Sequence, residues 1–337
     1  MSDFNGRALI QDAMRAAFPL AEARVAEFYG MQEYHLGWRN ATLAPASGDP
    51  GKLLRPIMAL AAARAAGGDP LLALPLAAGI QLLHDFSLIH DDIEDDSDMR
   101  RGRQTLWTIW GLAQGINAGD GMFVIAHLSV HRLADVGLPA ERVLAILRRF
   151  SETILTICEG QYLDISFEGR LSVSQDDYLA MIRRKTAVLV GAAAELGGVA
   201  GGADRATAAA LWTFGVSLGL AFQVQDDVLG VWGDPERTGK PFAADLYRRK
   251  LSLPVIYGMA SPDYGARLAE LYGAAPDDRA VGEMLQLLDA AGARAATEAV
   301  ATSYHHEAMA ALGAVRGDPS SIAALGALAE GLLGRSR

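Results

Sequence analysis

Two groups of aspartates carry the strongest chemical signal in the sequence. The first lies in LIHDDIEDDSDMRRGRQT, residues 88–105, where Asp91 and Asp95 are four positions apart. On a helix these two side chains share a face, with Asp92 turned about a quarter-circle away. Carboxylates that point the same way repel each other unless a cation lies between them. Mg²⁺ binds through one or two carboxylates, water and substrate phosphates, so the spacing predicts a magnesium site.

A second aspartate pair, Asp226 and Asp227, comes at the end of the apolar run LAFQVQDDVLG. A single acidic cluster is readily explained as a solvated helix end. Two clusters, each directly after an apolar run, make that interpretation much weaker. If the second pair faces the first across a bundle of helices, the two together could hold several Mg²⁺ ions and a diphosphate.

Basic side chains that could bind a diphosphate lie at or near the predicted loops and helix ends. Arginine offers a planar fork of donors and lysine a point charge, and both suit phosphate oxygens. Taken singly, each is explained equally well as a surface charge. The candidates are Lys52, Arg55, Arg100, Arg101, Lys185 and Lys240.

The elements that position these residues are predicted to be helices. Apolar residues recur at three- and four-residue spacing, and alternating β-branched runs are nearly absent. Clusters of Gly, Pro and Asp at 44–51, 98–105, 232–242 and 258–266 divide the chain into about ten helices. Several are apolar on most faces and need neighbours all round, which predicts one large all-α bundle. Since no linker interrupts it, we expect a single domain over 1–337.

Composition and charge exclude several classes of protein. A net charge of −10 over 337 residues argues against a nucleic-acid surface. The single cysteine, Cys158, excludes an internal disulfide, suits a reducing, cytoplasmic location, and is expected to be a buried structural thiol. The N-terminal stretch is predicted to be a helix rather than a signal peptide. The uncharged stretch 206–225 is long enough to span a bilayer, but we interpret it as a buried core helix.

Six motifs between residues 51 and 254 resemble, in order, those of the trans-isoprenyl diphosphate (polyprenyl) synthases. They are contained in GKLLRP, HDDIEDDSDMRRG, EGQYLD, RRKT and FQVQDDVLGVWGDPERTGK. The resemblance implies an all-α isoprenoid synthase fold around a deep central cavity, usually in a homodimer. It also implies a prenyltransferase in which an allylic diphosphate ionises and isopentenyl diphosphate attacks the resulting cation. Preorganised cations that neutralise the leaving diphosphate would supply most of the catalysis.

The resemblance further implies a role for each matching residue. Three Mg²⁺ ions would be held by Asp91, Asp92, Asp95, Asp226 and Asp227. The allylic diphosphate would be held by Arg100, Lys185 and Lys240. Isopentenyl diphosphate would be held by Lys52, Arg55, His84 and Arg101. Thr186 and Gln223 would turn oxygen dipoles toward the cation. Gln161 and Asp164 would support the site.

One position departs from the family pattern. The second aspartate motif reads DDVLG, with Gly230 where the family commonly has its third aspartate. Either a metal is held less tightly, or Asp226 holds it with more water. We expect activity to survive, but if the change is disabling the chain would be a non-catalytic partner subunit.

The chain length of the product is predicted from Phe86 and Ser87. Phe86 precedes Asp91 by five residues, roughly 7.5 Å along a helix, where the tail of a growing chain would lie. Within the family, an aromatic residue at this position followed by a small residue resembles the pattern of short-chain synthases of the C20 type. Geranylgeranyl diphosphate is therefore the favoured product and farnesyl diphosphate the second. The alternative is that Phe86 is a core aromatic that faces elsewhere.

Two other enzyme classes use similar residues. A class I terpene cyclase shares the first motif, but it normally has a different second motif and needs no second diphosphate site. A phosphohydrolase of the HD type would use His84 with Asp85, or His90 with Asp91. The seven histidines form no clear ligand pattern, which argues against that class.

Overall fold

The protein is described by a computed structural model that covers residues 6–235, 241–275 and 277–334. These ranges are almost entirely helical, so the all-α prediction is confirmed. These ranges contain more helices than the predicted ten or so, because several helices are only one or two turns long. The helices are α1 Gly6–Ala17, α2 Ala26–His35, α3 Leu54–Ala65, α4 Leu74–Glu94, α5 Leu106–Trp110, α6 Leu112–His131, α7 Ala140–Phe167, α8 Gln175–Ile182, α9 Val188–Ala200, α10 Arg205–Trp232, α11 Ala244–Tyr247, α12 Leu253–Met259, α13 Gly265–Gly273, α14 Asp278–Ala290, α15 Ala293–Leu312 and α16 Pro319–Gly334.

The remaining regular elements are short. Two 3₁₀ turns, Ala23–Val25 and Pro70–Ala73, precede α2 and α4, and a π-helical turn, Arg183–Ala187, separates α8 from α9. The strands β1 Met99–Arg100 and β2 Arg103–Gln104 form an antiparallel hairpin.

The chain divides into two compact units. The first comprises Met1–Arg149 and Leu196–Ala203, and the second comprises Phe150–Glu195 and Asp204–Arg337. Two of the three unit boundaries fall inside α7 and α9, and the third falls between α9 and α10. The single domain over 1–337 therefore stays a prediction.

In the first unit, α4 carries the chemistry. It packs against α1, α3 and α6. Every residue from Pro75 to Leu83 is buried, whereas from His84 onward buried and half-exposed positions alternate. The apolar half therefore anchors the helix in the core, and the polar half faces a less enclosed environment.

In the second unit, α10 is built in the same way. Asp204 caps its N-terminus by accepting a hydrogen bond from the backbone N–H of Thr207 at 2.7 Å. The stretch from Phe214 to Ala221 is buried and packs against α15 and the π-helical turn. The acidic pair follows this buried stretch, as it does on α4.

The two apolar helices are core helices by their burial. Residues 70–94 and 205–232 are long and apolar enough to cross a bilayer, but 67% of the most apolar window of each is buried inside the protein. This burial agrees with the interpretation of 206–225 as a core helix. The expectation for Cys158 was wrong, because its thiol is exposed on α7. Helical periodicity shows that a residue lies on a helix but not which face neighbours cover.

Candidate active site

The last turn of α4 presents the first acidic cluster. The helix ends at Glu94, and the backbone N–H of Asp95 bonds to the carbonyl oxygen of Asp91 at 2.9 Å. Asp91 is half-buried and Asp95 is exposed. The C-terminus of a helix carries partial negative charge, and no basic residue lies in this last turn. Carboxylates at this end are therefore favoured only when a cation is close.

Asp92 has an unsatisfied oxygen. Its side chain is buried, and Oδ1 accepts a hydrogen bond from Arg100 Nε at 2.7 Å. Among the residues that the structure describes, Oδ2 has no hydrogen-bond partner. Burial raises the pKa of Asp92 above its usual value, against the opposing effect of Arg100. An unpartnered carboxylate oxygen in an all-oxygen donor set suits a hard divalent cation such as Mg²⁺.

A metal would need further ligands beyond these side chains. Within the described ranges, His, Cys, Asp and Glu side chains do not converge in groups of three or more that could hold an ion. Mg²⁺ commonly completes its coordination with water and substrate phosphates. The donor set therefore fits a metal that binds together with a diphosphate.

The β1–β2 hairpin positions the arginines of the first motif. Its two turn residues, Arg101 and Gly102, have φ values of 50° and 73°. Positive φ at both positions is what a type I′ turn requires, and glycine meets this at no steric cost. The hydroxyl of Thr105 donates to the carbonyl oxygen of Ser97 at 2.8 Å and fixes the base of the hairpin. Arg100 is thereby held against Asp92.

A basic pocket opens beside this hairpin. It has about 410 Å³ of free space, part of it open to solvent, and is lined by Arg100, Arg101 and Arg103 together with His35 and Asp92. A neighbouring depression with about 230 Å³ of free space, also partly open to solvent, shares Arg101 with it. Three guanidinium groups around one pocket favour an anionic ligand with several oxygens, such as a diphosphate.

The structure also brings together two residues expected to bind isopentenyl diphosphate. Arg55 Nη1 lies 3.3 Å from His84 Nε2. Burial lowers the pKa of Arg55 to about 10 and, together with the charge of Arg55, lowers that of His84 well below its usual value. Near neutral pH, His84 is therefore neutral and Arg55 charged. Lys52 is exposed on the loop before α3.

In the second unit, Asp227 is engaged by protein donors. It is fully buried and accepts hydrogen bonds from the Tyr178 hydroxyl at 2.5 Å, the Leu253 N–H at 3.3 Å and Gln223 Nε2 at 3.4 Å. Burial raises its pKa, and Lys250, with Nζ at 3.5 Å, opposes that rise. Asp226, in contrast, is half-buried at the same helix end.

Sequence reasoning missed Lys250. Its ammonium lies 3.5 Å from Asp227 and 3.8 Å from Asp245. Burial works to lower its pKa, but Asp227 and then Asp245 raise it well above the usual value, so Lys250 stays charged. The Lys250 position lies inside the motif-bearing region, but only the tertiary contact distinguishes it from a surface lysine.

The π-helical turn Arg183–Ala187 carries Lys185 and Thr186. Lys185 Nζ donates a hydrogen bond to Asp164 on α7. Thr186 is half-buried, as is Gln161. Single π-helical turns are often found at functional sites. Asp164, which was expected to support the site, thus contacts Lys185, and its role in the site stays a prediction.

Close packing of α7 against the π-helical turn depends on Gly160. A Cβ there would lie 2.2 Å from the backbone nitrogen of Lys185. We expect Gly160→Ala to destabilise the fold by about 2–4 kcal/mol, because backbone must move to admit the methyl group. Thermal unfolding would measure the loss.

Gly282→Ala is the matched control for this prediction. Gly282 lies on α14 with open space where its Cβ would be. Alanine should therefore stabilise the helix there by about 0.5–1 kcal/mol. Equal melting temperatures for the two variants would contradict the assigned close contact.

Phe86 lies in an aromatic group between α4 and α6. Its ring centroid is 5.2 Å from that of Phe123 and 4.9 Å from that of His90. Phe123 was not predicted, because its partner is on another helix. The neighbouring Ser87 hydroxyl donates to the carbonyl oxygen of His84 at 2.8 Å and adds no bulk. Lys240 lies outside the described residues.

Comparisons with known proteins agree with this site. The polyprenyl synthetase family model matches residues 38–289. A geranylgeranyl diphosphate synthase of Mycobacterium tuberculosis is 42% identical over 275 residues, covering 80% of this chain and 77% of that protein. A (2E,6E)-farnesyl diphosphate synthase of Mycobacterium bovis is 41% identical over 267 residues, covering 77% and 73%.

A solved structure extends the likeness to the fold. The geranylgeranyl pyrophosphate synthase of Corynebacterium glutamicum, complexed with isoprenyl diphosphate and magnesium, superposes with a TM-score of 0.81 at 26% identity. The match covers 98% of this chain and 97% of that one. The expected family is confirmed: this chain belongs to the polyprenyl synthetase family and is a trans-prenyltransferase.

Proposed function

We propose that this prenyltransferase condenses isopentenyl diphosphate with allylic diphosphates and makes geranylgeranyl diphosphate (C20), with farnesyl diphosphate (C15) as the second candidate. The observation that carries the proposal is the unpartnered Oδ2 of Asp92 beside the arginines of the hairpin. The carboxylate oxygen could bind a hard cation, and the arginines could donate hydrogen bonds to diphosphate oxygens. A terpene cyclase would not need a second diphosphate site of the kind that we propose around Arg55 and His84.

The metal sites rest on carboxylates of both motifs. Bound Mg²⁺ would supply positive charge that neutralises the diphosphate as it leaves the allylic carbon. Because protein donors engage Asp227, we propose Asp226 as the direct ligand of the second motif and Asp227 as its buried support. Three ions are proposed, with ligands from Asp91, Asp92, Asp95 and Asp226.

The remaining polar residues bind and orient the two substrates. Cleavage of the C1–O bond leaves an allylic cation and a diphosphate, and the double bond of isopentenyl diphosphate then attacks C1. A proton is lost to the released diphosphate. Preorganised donors lower this barrier because they stabilise the charge as it develops. We propose Arg100, Lys185 and Lys240 for the allylic diphosphate, Lys52, Arg55, His84 and Arg101 for isopentenyl diphosphate, and Thr186 and Gln223 for the cation.

The aromatic contact between Phe86 and Phe123 supports the C20 product. An aromatic ring packed against a second ring resists displacement by a growing chain. Ser87 offers no comparable obstruction one position closer to the aspartates. We therefore propose that Phe86, backed by Phe123, is the end wall of the cavity that holds the growing chain.

The test is incubation of the purified protein with isopentenyl diphosphate, Mg²⁺ and one allylic primer at a time. Dimethylallyl, geranyl and farnesyl diphosphate would be compared, and the dephosphorylated alcohols separated by chromatography. A C20 alcohol supports the proposal, and a C15 end point supports the second candidate. No elongation from any primer would contradict the proposed synthase and favour a non-catalytic partner subunit.

A homodimer is proposed from an exposed apolar stripe on α6. Leu112, Ile116, Val124 and Leu128 are 54%, 44%, 53% and 46% exposed and recur in steps of four or eight residues. Such a stripe is costly to leave in water, and self-association of two copies would cover it. We expect Ile116→Glu to shift the protein toward monomer in light scattering after size exclusion, whereas Val136→Glu should not. A wild-type monomer at micromolar concentration would contradict the proposal.

We also propose a cytoplasmic location and one functional domain over 1–337. The single cysteine supports a reducing compartment. One cooperative calorimetric transition for the whole chain is expected, and two separated transitions would contradict a single domain.

A further inference from the structure

Asp85, on α4, is a buried carboxylate to which neither the metal sites nor the proposed substrate contacts assign a role. It is only 2% exposed. Its Oδ2 accepts a hydrogen bond from Gln81 Nε2 at 2.9 Å. Among the described residues, Oδ1 has no hydrogen-bond partner. A buried charge is costly unless opposite charges lie close to it, so the surroundings of Oδ1 decide what Asp85 does.

The positive charges that act on Asp85 come from two neighbouring elements. Arg101 of the hairpin places Nη2 3.8 Å from Asp85 Oδ1. Arg55 of α3 also attracts the carboxylate, followed by Arg100. Within the described part of the chain, Arg55 Nε is itself a buried donor without a hydrogen-bond partner. Asp85 is thus a carboxylate that faces two of the arginines that we propose bind isopentenyl diphosphate.

The two histidines beside Asp85 are neutral. His35 Nε2 on α2 lies 3.8 Å from Asp85 Oδ1. Burial, helped by the charge of Arg101, lowers the pKa of His35 to about 3. Burial also lowers the pKa of His84, the preceding residue on α4, well below its usual value. Near neutral pH, arginines therefore provide the positive charge at Asp85.

The other helices that pack against α4 meet it elsewhere or present uncharged groups. α6 contacts α4 at Phe86 through Phe123. Successive side chains on a helix point about 100° apart, so Asp85 is turned away from that contact. α1 lines the depression beside Asp85 with Gln11 and Met14, which do not titrate. The free space beside Asp85 therefore lies on the side of the hairpin.

Asp85 can change its charge within the physiological pH range. Burial raises its pKa to about 6, against the lowering effects of Gln81 and the arginines. Near pH 7 in the free protein, Asp85 is therefore mostly ionised. A diphosphate held by Arg55 and Arg101 would bring several negative charges close to it, and like charges raise the pKa of a carboxyl further. At the same pH, Asp85 would then be mostly protonated.

We infer that Asp85 is the buried counter-ion shared by Arg55 and Arg101 in the diphosphate-free protein, and that it takes up a proton when isopentenyl diphosphate binds. The inference rests on the proposed function, which assigns isopentenyl diphosphate to these arginines. The proton comes from solvent, forms an O–H bond on Asp85, and returns to solvent when the diphosphate leaves. Asp85 thus balances the guanidinium groups while the site is empty and does not repel the bound substrate.

The pH dependence of substrate binding follows from the two states of Asp85. Below about pH 6 the carboxyl is already protonated in the free protein, so binding requires no proton. As the pH rises above that value, binding must be accompanied by protonation, and the affinity for isopentenyl diphosphate falls. Asp85→Asn removes this dependence, because asparagine keeps the shape of the carboxyl and carries no charge.

Steady-state kinetics at saturating allylic primer would measure this dependence. The KM of Asp85→Asn for isopentenyl diphosphate should be at least about threefold lower than that of wild type at about pH 8, and within about twofold of it near pH 5.5. The KM for the allylic primer should change less in the same comparison. A ratio of the two KM values for isopentenyl diphosphate that does not change with pH would overturn the inference.

The direct test counts the protons taken up on binding. Isopentenyl diphosphate with Mg²⁺ would be titrated calorimetrically at pH 7, without primer, in buffers of different ionisation enthalpy. Protons exchanged by the diphosphate itself are common to all variants. Wild type should take up about 0.5 proton per site more than Asp85→Asn. Asp98→Asn, which removes an exposed carboxylate, should match wild type. Equal uptake by wild type and Asp85→Asn would contradict the inference.

Gln81→Leu gives an independent measurement if Asp85→Asn does not fold. The hydrogen bond from Gln81 lowers the pKa of Asp85. Without that bond, a larger fraction of Asp85 is protonated before the substrate binds. Proton uptake by Gln81→Leu at pH 7 should therefore be smaller than that of wild type. Uptake equal to that of wild type would show that Asp85 is not the group that takes up the proton.

The outcomes distinguish this inference from the proposed function. A wild-type protein that elongates no allylic primer contradicts the proposed function. An active wild type whose proton uptake and pH profile match those of Asp85→Asn contradicts the inference alone.

Discussion

Asp91→Ala is expected to lower kcat by at least about 10³-fold, a loss of ~4 kcal/mol in transition-state stabilisation. Asp91 lies at the C-terminal end of α4, beside the unpartnered oxygen of Asp92. Removing it would take away a carboxylate that we propose holds Mg²⁺ against the leaving diphosphate. Raising the Mg²⁺ concentration should restore little activity, because the ligand itself is absent.

The fold should survive this substitution. Asp91 is half-buried in the last turn of a helix whose apolar half is fixed in the core. Alanine has a higher helix propensity than aspartate and removes a negative charge from the negative end of the helix dipole. Circular dichroism and the melting temperature should therefore match or exceed those of wild type.

Asp98→Ala is the matched control, since Asp98 is an exposed aspartate after the same helix and outside the site. It should keep wild-type turnover. Asp226→Ala should behave like Asp91→Ala, because Asp226 is the half-buried member of the second pair. Wild-type rates for both Asp91→Ala and Asp226→Ala would remove the metal-site assignment.

Phe86→Ala is expected to shift the main product beyond C20. Truncation would remove one ring of the pair formed with Phe123, whose centroids are 5.2 Å apart. The emptied volume would lie about five residues, roughly 7.5 Å, along α4 from Asp91, in the path proposed for the growing tail. Chromatography of the dephosphorylated products would show C25 and longer alcohols, while the rate of the first condensation should change less than tenfold.

Phe18→Ala controls for the loss of an aromatic ring as such. Phe18 lies in a separate aromatic group, with its ring centroid 5.5 Å from that of Trp38. It should lower the melting temperature and leave the product length at C20. Phe123→Ala should lengthen the product as Phe86→Ala does. An unaltered product distribution for both Phe86→Ala and Phe123→Ala would mean that the end wall lies elsewhere.

The sequence by itself determined the features that depend on local spacing. The all-α class followed from the three- and four-residue periodicity, and the position of each acidic cluster followed from the buried stretch before it. The Gly and Asp residues of 98–105 also predicted the break that follows α4. These features need only neighbours along the chain.

Only the tertiary structure decided which distant residues meet. No local sequence pattern identifies the contact partners of Lys250, Asp245 and Phe123, because these partners lie on other elements. The burial of Cys158 was wrongly predicted for the same reason, since periodicity does not show which helix face is covered. Gly230 looks like a lost aspartate in sequence, yet a carboxylate fills its space in the fold. Packing fills space with whichever groups the fold brings together, and such groups can be far apart in the sequence.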